Sequence, residues 1–304
     1  TFFEMMGNFS FDGYGKKEAI QYAYEFITKE MGLEIDYVSV FGGDISTGSG
    51  LFPDTESKKI WKEINPSIKI KEFGKEDNFW GPTGNEGPCG PTTEIYVNGV
   101  EVWNLVFNEY YCNQDGSINS LKTKGIDTGL GFERLIVTLQ KKNNFYETDL
   151  FDFIIKKLDF IEDEKQKRIV ADHIRASVFL ISDGVIPSNT DRGYILRRLL
   201  RRIIRHKLNN MDELIDVIIS KYSGVYNNFN QEDIKKVINT EKEKFEETLN
   251  NGLKQFEKAE VIDPFVLFST FGFPPELTIE LAKEKGIEVD LKAFEEKMKE
   301  HQEI

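Results

Sequence analysis

The sequence predicts an α+β fold, an antiparallel sheet flanked by helices, followed by an all-helical domain. Three observations lead there. Two apolar-rich runs, residues 94–97 and 100–111, flank Asn98-Gly99, a dipeptide suited to the positive backbone angles of a tight hairpin turn. The aromatic run of residues 1–11 ends in another turn pair, Asp12-Gly13. After residue 145 apolar residues recur almost wholly at helical spacing.

The elements follow in order. Residues 1–11 read as a strand. Residues 16–31 read as a helix, with Ile20, Ala23, Tyr24 and Ile27 on one face. Residues 37–41 form a short strand before glycines, and residues 54–64 a second helix. The tract 81–91 reads as a loop, since Gly81, Gly84, Gly87 and Gly90 alternate with prolines that break regular ladders. The strands at 94–97 and 100–111 come next, and the segment from Asp127 to Arg134 opens a helix that runs to about residue 140. The charged stretch 162–167 marks a boundary between domains at residues 1–161 and 162–304.

Composition narrows the function classes. No apolar run is long enough to span a membrane, and no signal peptide is visible. Two cysteines, Cys89 and Cys112, are too few for a disulfide framework and favour a reducing cytoplasmic setting. His173, His206 and His301 are too scattered for a zinc site. The chain starts at Thr1 inside an apolar-aromatic run, as expected of a piece of a longer protein.

Lysine and arginine number 39 against 52 aspartates and glutamates, yet no acid interrupts residues 192–207. At helical spacing Leu196, Leu199, Leu200, Ile203 and Ile204 share an arc of about 140°. Arg197, Arg198, Arg201, Arg202 and Arg205 fill the opposite arc, extended by Arg192 and Lys207. A cationic stripe on an anionic chain suits a specific polyanion. A solvated face paired to acids elsewhere fits the same charges.

Candidate chemistry sits in three places. In Asp127-Thr-Gly-Leu-Gly-Phe-Glu-Arg134, Gly129 and Gly131 permit close backbone approach, and the helix start beyond them favours anions. Arg134 can grip a phosphate as a fork, and Asp127 can accept from an ammonium. The glycine-rich tract can wrap a small ligand, with Trp80 at its edge as pocket wall or core residue. On the third, the strand at 100–111, alternation places Glu101 on the face of Trp103 and Leu105, with Val102, Asn104 and Val106 on the other. A carboxylate on the buried side calls for a cation or a metal.

Together these segments resemble the bacterial alanyl-tRNA synthetases, a family of class II aminoacyl-tRNA synthetases. The resemblance rests on the 1–11 run, Asp77-Asn-Phe-Trp80, Gly87-Pro-Cys-Gly-Pro91 with Thr93-Glu-Ile95, Glu101-Val-Trp-Asn-Leu-Val-Phe107, and the Asp127–Arg134 segment. It continues through Ala171-Asp-His-Ile-Arg175, Asp183-Gly-Val-Ile-Pro-Ser-Asn189 with Arg192-Gly-Tyr194, and Phe271-Gly-Phe-Pro274. It implies alanine activation by ATP with Mg2+ to alanyl-adenylate, then transfer to the terminal adenosine of alanine tRNA, with ATP, alanine and the tRNA acceptor stem as partners.

The resemblance also assigns residues. Phe3, Glu4 and Met5 lie in the motif 2 strand at ATP, Phe3 matching the aromatic that stacks on adenine. Arg134, with Gly129 and Gly131, matches the motif 3 grip on the ATP phosphates. Asp127 matches the acid that holds the alanine ammonium, and Trp80, Asn104 and Val106 match the small pocket around the amino acid. Glu101 is the candidate Mg2+ ligand, with Glu94 beside it. Asn189 matches a reader of the acceptor-stem G·U pair, and Arg192, Arg197, Arg198, Arg201, Arg202 and Arg205 form the tRNA-facing stripe. Glu276 stands where the family has a second reader, an aspartate one methylene shorter.

Three departures accompany these matches. Motif 1 and the motif 2 arginine lie outside the chain, as do the editing and C-terminal domains, and the link from Tyr96 to Glu101 is a minimal hairpin. A non-catalytic RNA-binding module and a tRNA-independent ligase paralogue share many of these features.

Overall fold

A computed structural model describes residues 1–44, 51–258, 263–271, 275–284, 292–294 and 296–297. Its internal contacts divide the chain into one unit of Phe3–Asp152 and another of Thr1–Phe2 with Phe153–Ile304.

Three long strands organise the first unit. They are β6 (Gly87–Val97), β7 (Val100–Cys112) and β8 (Ile118–Gly131), consecutive and antiparallel. The expected Asn98-Gly99 turn joins β6 to β7, with φ of 52° and 75°. The short strands are β1 (Met5–Met6), β2 (Phe9–Phe11), β3 (Tyr37–Phe41), β4 (Ile70–Phe73) and β5 (Phe79–Trp80). The eight-stranded sheet runs β1-β8-β7-β6-β3-β4, with β2 also on β8 and β5 on β6. The sheet is mixed rather than purely antiparallel, because β3 and β4 pair in parallel.

Helices α1 (Lys16–Glu25) and α2 (Thr55–Ile64) pack on one face of this sheet. Asp54 caps α2 by accepting from the Ser57 N–H at 3.1 Å. Ile20, Ala23 and Ile27 are buried as their spacing predicts, against Val38, Ile95, Leu105 and Phe107. Trp61 is fully buried, and its indole N–H donates to Thr93 Oγ1 at 2.8 Å. Two shorter helices, α3 (Lys75–Asn78) and α4 (Phe132–Leu139), also belong to the unit.

Sequence and structure differ at several places here. The 1–11 run is two short strands rather than one. β4 and most of β8 carry too little apolar alternation to be read as strands. The helix expected from Asp127 begins only at Phe132, because residues 127–131 are held in β8 by pairing with β7. Half of the expected loop 81–91 is strand. Pro91 lies inside a register shift between Cys89 and Thr92, where the ladder to β7 is interrupted and a missing N–H costs little, and Pro88 pairs with Tyr111 just before it. Gly90 fits there because a Cβ would lie 1.8 Å from the Phe107 carbonyl oxygen.

The unit division falls within α5 (Asp152–Ile155). The second unit contains α6 (Glu164–Ser182), α7 (Asp191–Ile204), α8 (Met211–Tyr222), α9 (Gln231–Lys258), α10 (Pro264–Phe271) and α11 (Pro275–Glu284), and no strand among its described residues. Asp163 caps α6 by accepting from the Lys165 N–H at 2.8 Å. Phe2 stacks on Phe179 at 4.1 Å, and the buried Arg175 guanidinium lies over Phe2 at 4.8 Å and Tyr222 at 5.4 Å. Leu196, Leu199, Leu200, Ile203 and Ile204 of α7 are all buried, matching the apolar arc. Of the Phe271–Pro274 motif, residues 272–274 lie outside the described residues.

Gly90→Ala is expected to destabilise the protein by about 1–3 kcal/mol or more, since a new methyl must displace backbone rather than a flexible side chain. Urea unfolding measures this, and an unchanged midpoint would contradict the close approach at Phe107.

Candidate functional site

An irregularity in β7 decides which face Glu101 joins. Ile95 pairs with Trp103, but the next residue, Tyr96, pairs with Glu101, so Val102 is an extra residue in the ladder. A bulge of this kind inverts the facing of everything beyond it. Trp103 and Leu105 do face the helix-covered core, as expected. Glu101, expected on their face, lies across from Tyr96 on the opposite one, and Val102 turns into the core.

That opposite face collects the polar residues. Register sets Glu94 beside Asn104 and Asn104 beside Gly129, while Val106 pairs with both Thr92 and Asp127. Ser39 pairs with Glu94 from β3. Of the residues expected around an amino acid, Asn104, Val106 and Asp127 therefore share one face. Trp80 sits on β5 against Gly90, partly exposed at 37%, rather than in the core.

Glu94 is the most buried carboxylate of the set, 5% exposed. Its Oε2 accepts from Ser39 Oγ at 2.9 Å and Tyr96 Oη at 2.8 Å. Burial nevertheless raises its pKa above the usual glutamate range, and the charge of Glu101 adds to the rise. Asp127 is also raised, by burial alone. Asn78 donates to Ser39 Oγ at 2.8 Å and Thr92 Oγ1 at 3.1 Å, extending the network beneath Glu94. The buried Oδ1 of Asn104 has no hydrogen-bond partner, leaving an unmet bond on this face.

Arg134, near the start of α4, donates from Nη1 to the Glu101 carbonyl at 3.1 Å and forms an ion pair with Glu101 Oε2 at the same distance. Both side chains are substantially exposed, so the pair contributes little stability and opens readily. The Glu4 N–H donates to Glu133 Oε2 at 3.0 Å, and the Phe132 N–H to the Glu4 carbonyl at 2.9 Å. These bonds tether the 3–5 segment to the start of α4. They leave Phe3 60% and Met5 59% exposed, with Met5 over the close-approach position of Gly129.

Glu94 and Glu101 are two carboxylates on this face, and no group of three or more metal-ligating side chains occurs among the described residues. Two carboxylates suit Mg2+, which is commonly held by one or two of them together with phosphate oxygens. Residue types alone did not reveal Ser39, Asn78 or Glu133. Tyr96 was findable, two residues along the strand from Glu94.

In the second unit the arginine stripe divides. Arg197 Nε and Arg201 Nε lie 3.2 and 2.9 Å from Oε1 of Glu241, a buried residue of α9. Arg201 also covers the Phe245 ring at 4.9 Å. Arg197 donates further to the Pro187 carbonyl at 3.2 Å and to Asn189 Oδ1. Arg192 and Arg198 are exposed, while Arg202 and Arg205 are half-buried and engaged with partners of their own. Asn189 is exposed just ahead of α7, and Glu276 lies in the first turn of α11.

A mixed eight-stranded sheet flanked by helices fits a class II synthetase catalytic unit. The chain belongs to that family: the model of the class II (A) tRNA synthetases matches residues 1–304. An alanine–tRNA ligase of Petrotoga mobilis is 39% identical across 100% of this chain and 40% of its own length. That of Thermotoga maritima is 41% identical across 99% and 40%, and that of Borrelia hermsii 39% across 100% and 59%. The chain thus spans about two-fifths of the length of most of these relatives. No helix among the described residues is long and apolar enough to cross a membrane.

Glu94 supplies a test of the site's electrostatics. Its carboxyl holds a proton to higher pH folded than unfolded, so ionisation costs stability above the ordinary glutamate range near about 4.3 and costs nothing below it. Glu94→Gln retains an acceptor for Ser39 and Tyr96. It is expected to raise the ligand-free melting temperature at pH 7, with the gain vanishing by about pH 4. A gain that persists unchanged at acid pH would contradict this origin.

Proposed function

We propose that the chain is the aminoacylation and tRNA-recognition part of a cytoplasmic alanine–tRNA ligase. It activates alanine with ATP and passes it to the terminal adenosine of alanine tRNA. The observation that carries this is the single sheet face shared by Asp127, Asn104, Val106, Glu94 and Glu101, with Arg134 at its edge.

In this reading the alanine ammonium sits on Asp127, whose ionised form is costly until a cation offsets its burial. Asn104 completes its unmet hydrogen bond on the amino acid. Val106 and Trp80 wall a pocket that excludes larger side chains but rejects glycine or serine only weakly, since one methylene or hydroxyl is worth about 1–3 kcal/mol. Phe3 stacks on adenine, and the Glu4–Met5 backbone lies along the nucleotide. The alanine carboxylate attacks the α-phosphate in line and pyrophosphate leaves. The step needs positioning and charge neutralisation rather than a side-chain nucleophile. Arg134 exchanges Glu101 for ATP phosphates, which frees Glu101 to join Glu94 in holding Mg2+. The ion supplies further neutralisation of phosphate charge.

Residues 162–304 serve tRNA recognition. Arg192 and Arg198 contact acceptor-stem phosphates, Asn189 inspects the G·U pair, and Glu276 occupies the place of a second reader. Affinity then comes from the arginines and identity from the polar cap ahead of α7.

In the full-length protein, Asp127→Ala is expected to lower kcat/KM for alanine in ATP–pyrophosphate exchange about a hundredfold or more, the loss of roughly 3 kcal/mol of charge-assisted contact. Retained exchange would refute the pocket assignment. No exchange in the parent protein, with tRNA binding intact, would favour a non-catalytic RNA-binding module. Arg198→Ala is expected to weaken tRNA binding and flatten its logarithmic salt dependence by about one unit of slope. An unchanged slope would remove Arg198 from the phosphate contacts.

A further inference from the structure

Arg197 of the stripe turns back toward the loop ahead of its own helix. Arg197 is anchored at one end by buried Glu241, which also pairs with Arg201. Its two terminal nitrogens reach the loop ahead of α7, one to the Pro187 carbonyl and one to Asn189 Oδ1. That loop is folded tightly on the first turn. The Ser188 N–H donates to the Gly193 carbonyl at 3.1 Å, and a Cβ on Gly193 would lie 2.5 Å from the Ile186 carbonyl oxygen.

An arginine only donates, so it fixes which end of the asparagine faces it. With Oδ1 held by Arg197, the Nδ2 amino group is the end left to meet a partner. We propose that Arg197 is a positioning residue for base-pair recognition, holding Asn189 with its amide donor outward, and is not a phosphate contact. The proposal rests on the reading of Asn189 as the inspector of the G·U pair.

Physical chemistry gives the anchoring a purpose. The minor groove of a G·C pair offers acceptors and a guanine amino donor. A wobble G·U pair offers the same kinds of group, displaced sideways, and A-form RNA displays them in a wide, shallow groove. One donor cannot separate the two pairs by group type. It separates them by position, and only if it is itself held in place. A free asparagine on an exposed loop samples several rotamers. One held through Arg197 to a buried carboxylate does not.

The test measures binding and aminoacylation of acceptor-stem RNAs carrying G·U or G·C, in the full-length protein. Asn189→Ala, Arg197→Ala and Arg197→Lys are compared with the parent. Lysine keeps the charge but loses the fork that spans Pro187 and Asn189, and Arg201 still neutralises Glu241 in either variant.

Loss of G·U over G·C preference by about 5- to 150-fold in all three variants is expected. Asn189→Ala combined with Arg197→Ala should be no worse than either alone, and Arg197→Lys should keep the parental salt slope. The proposal is overturned if Arg197→Lys retains the preference, or if Arg197→Ala weakens both stems equally with a slope reduced by about one. Should Asn189→Ala leave the preference unchanged, the base-reading role fails instead. Crystal structures of the parent and Arg197→Lys then decide the positioning claim: Asn189 turned or disordered in the variant supports it, and Asn189 unmoved overturns it.

Discussion

The first unit depends on the pairing register of β6, β7 and β8. A strand's side chains alternate with a period of two, so one register fixes every face at once. Here it places Leu105, Phe107 and Ile126 under the helices and Asn104, Val106 and Asp127 on the far side. The extra residue at Val102 breaks that parity at the hairpin end of β7. Without it Glu101 would point into the apolar core, where an unpaired carboxylate is very costly. With it, Glu101 joins Glu94 and meets Arg134. The bulge is thus the device that lets one strand contribute to a core and to a charged site within three residues.

The polar face carries an electrostatic cost in the ligand-free state. Glu94 and Asp127 are both shifted toward protonation by burial, and Glu101 repels Glu94. Folding tolerates this because hydroxyl donors from Ser39 and Tyr96 partly compensate. A site held in this condition is suited to cations. In the proposed function, an ammonium at Asp127 or a metal at Glu94 and Glu101 would relieve a penalty that the fold already bears, so binding and stabilisation would coincide. Arg134 acts as a local counter-charge meanwhile, and its exposure keeps that pairing weak enough to exchange.

Much of the fold was legible because its signals are local. The Asn98-Gly99 turn, the apolar faces of α1 and α7 and the buried strand at 100–111 need only neighbouring residues to be recognised. What was not legible depends on partners far away in sequence. Pro88 and Pro91 argue against a strand until β5 and β7 are known to lie beside them. The segment at 127–131 looks like a glycine-rich helix approach until β7 claims it as strand. Simple alternation put Glu101 on the wrong face, because a bulge is a property of two strands and only one of them was being read. The individual site residues gained their meaning chiefly from the family resemblance.

The arginine helix makes the same point about charge. Periodicity identified which side chains share a face, and burial of the apolar arc agrees with it. It could not say what each guanidinium meets. Glu241 lies 40 or more residues downstream of the arginines it binds, on α9. A buried carboxylate flanked by two arginines turns part of an outwardly uniform stripe into internal structure, since removing the carboxylate would leave both guanidinium groups without it. The stripe therefore divides by environment. Arg192 and Arg198, in open solvent, retain the long-range field that attracts a polyanion. Arg197 and Arg201 trade that reach for fixed geometry on Glu241.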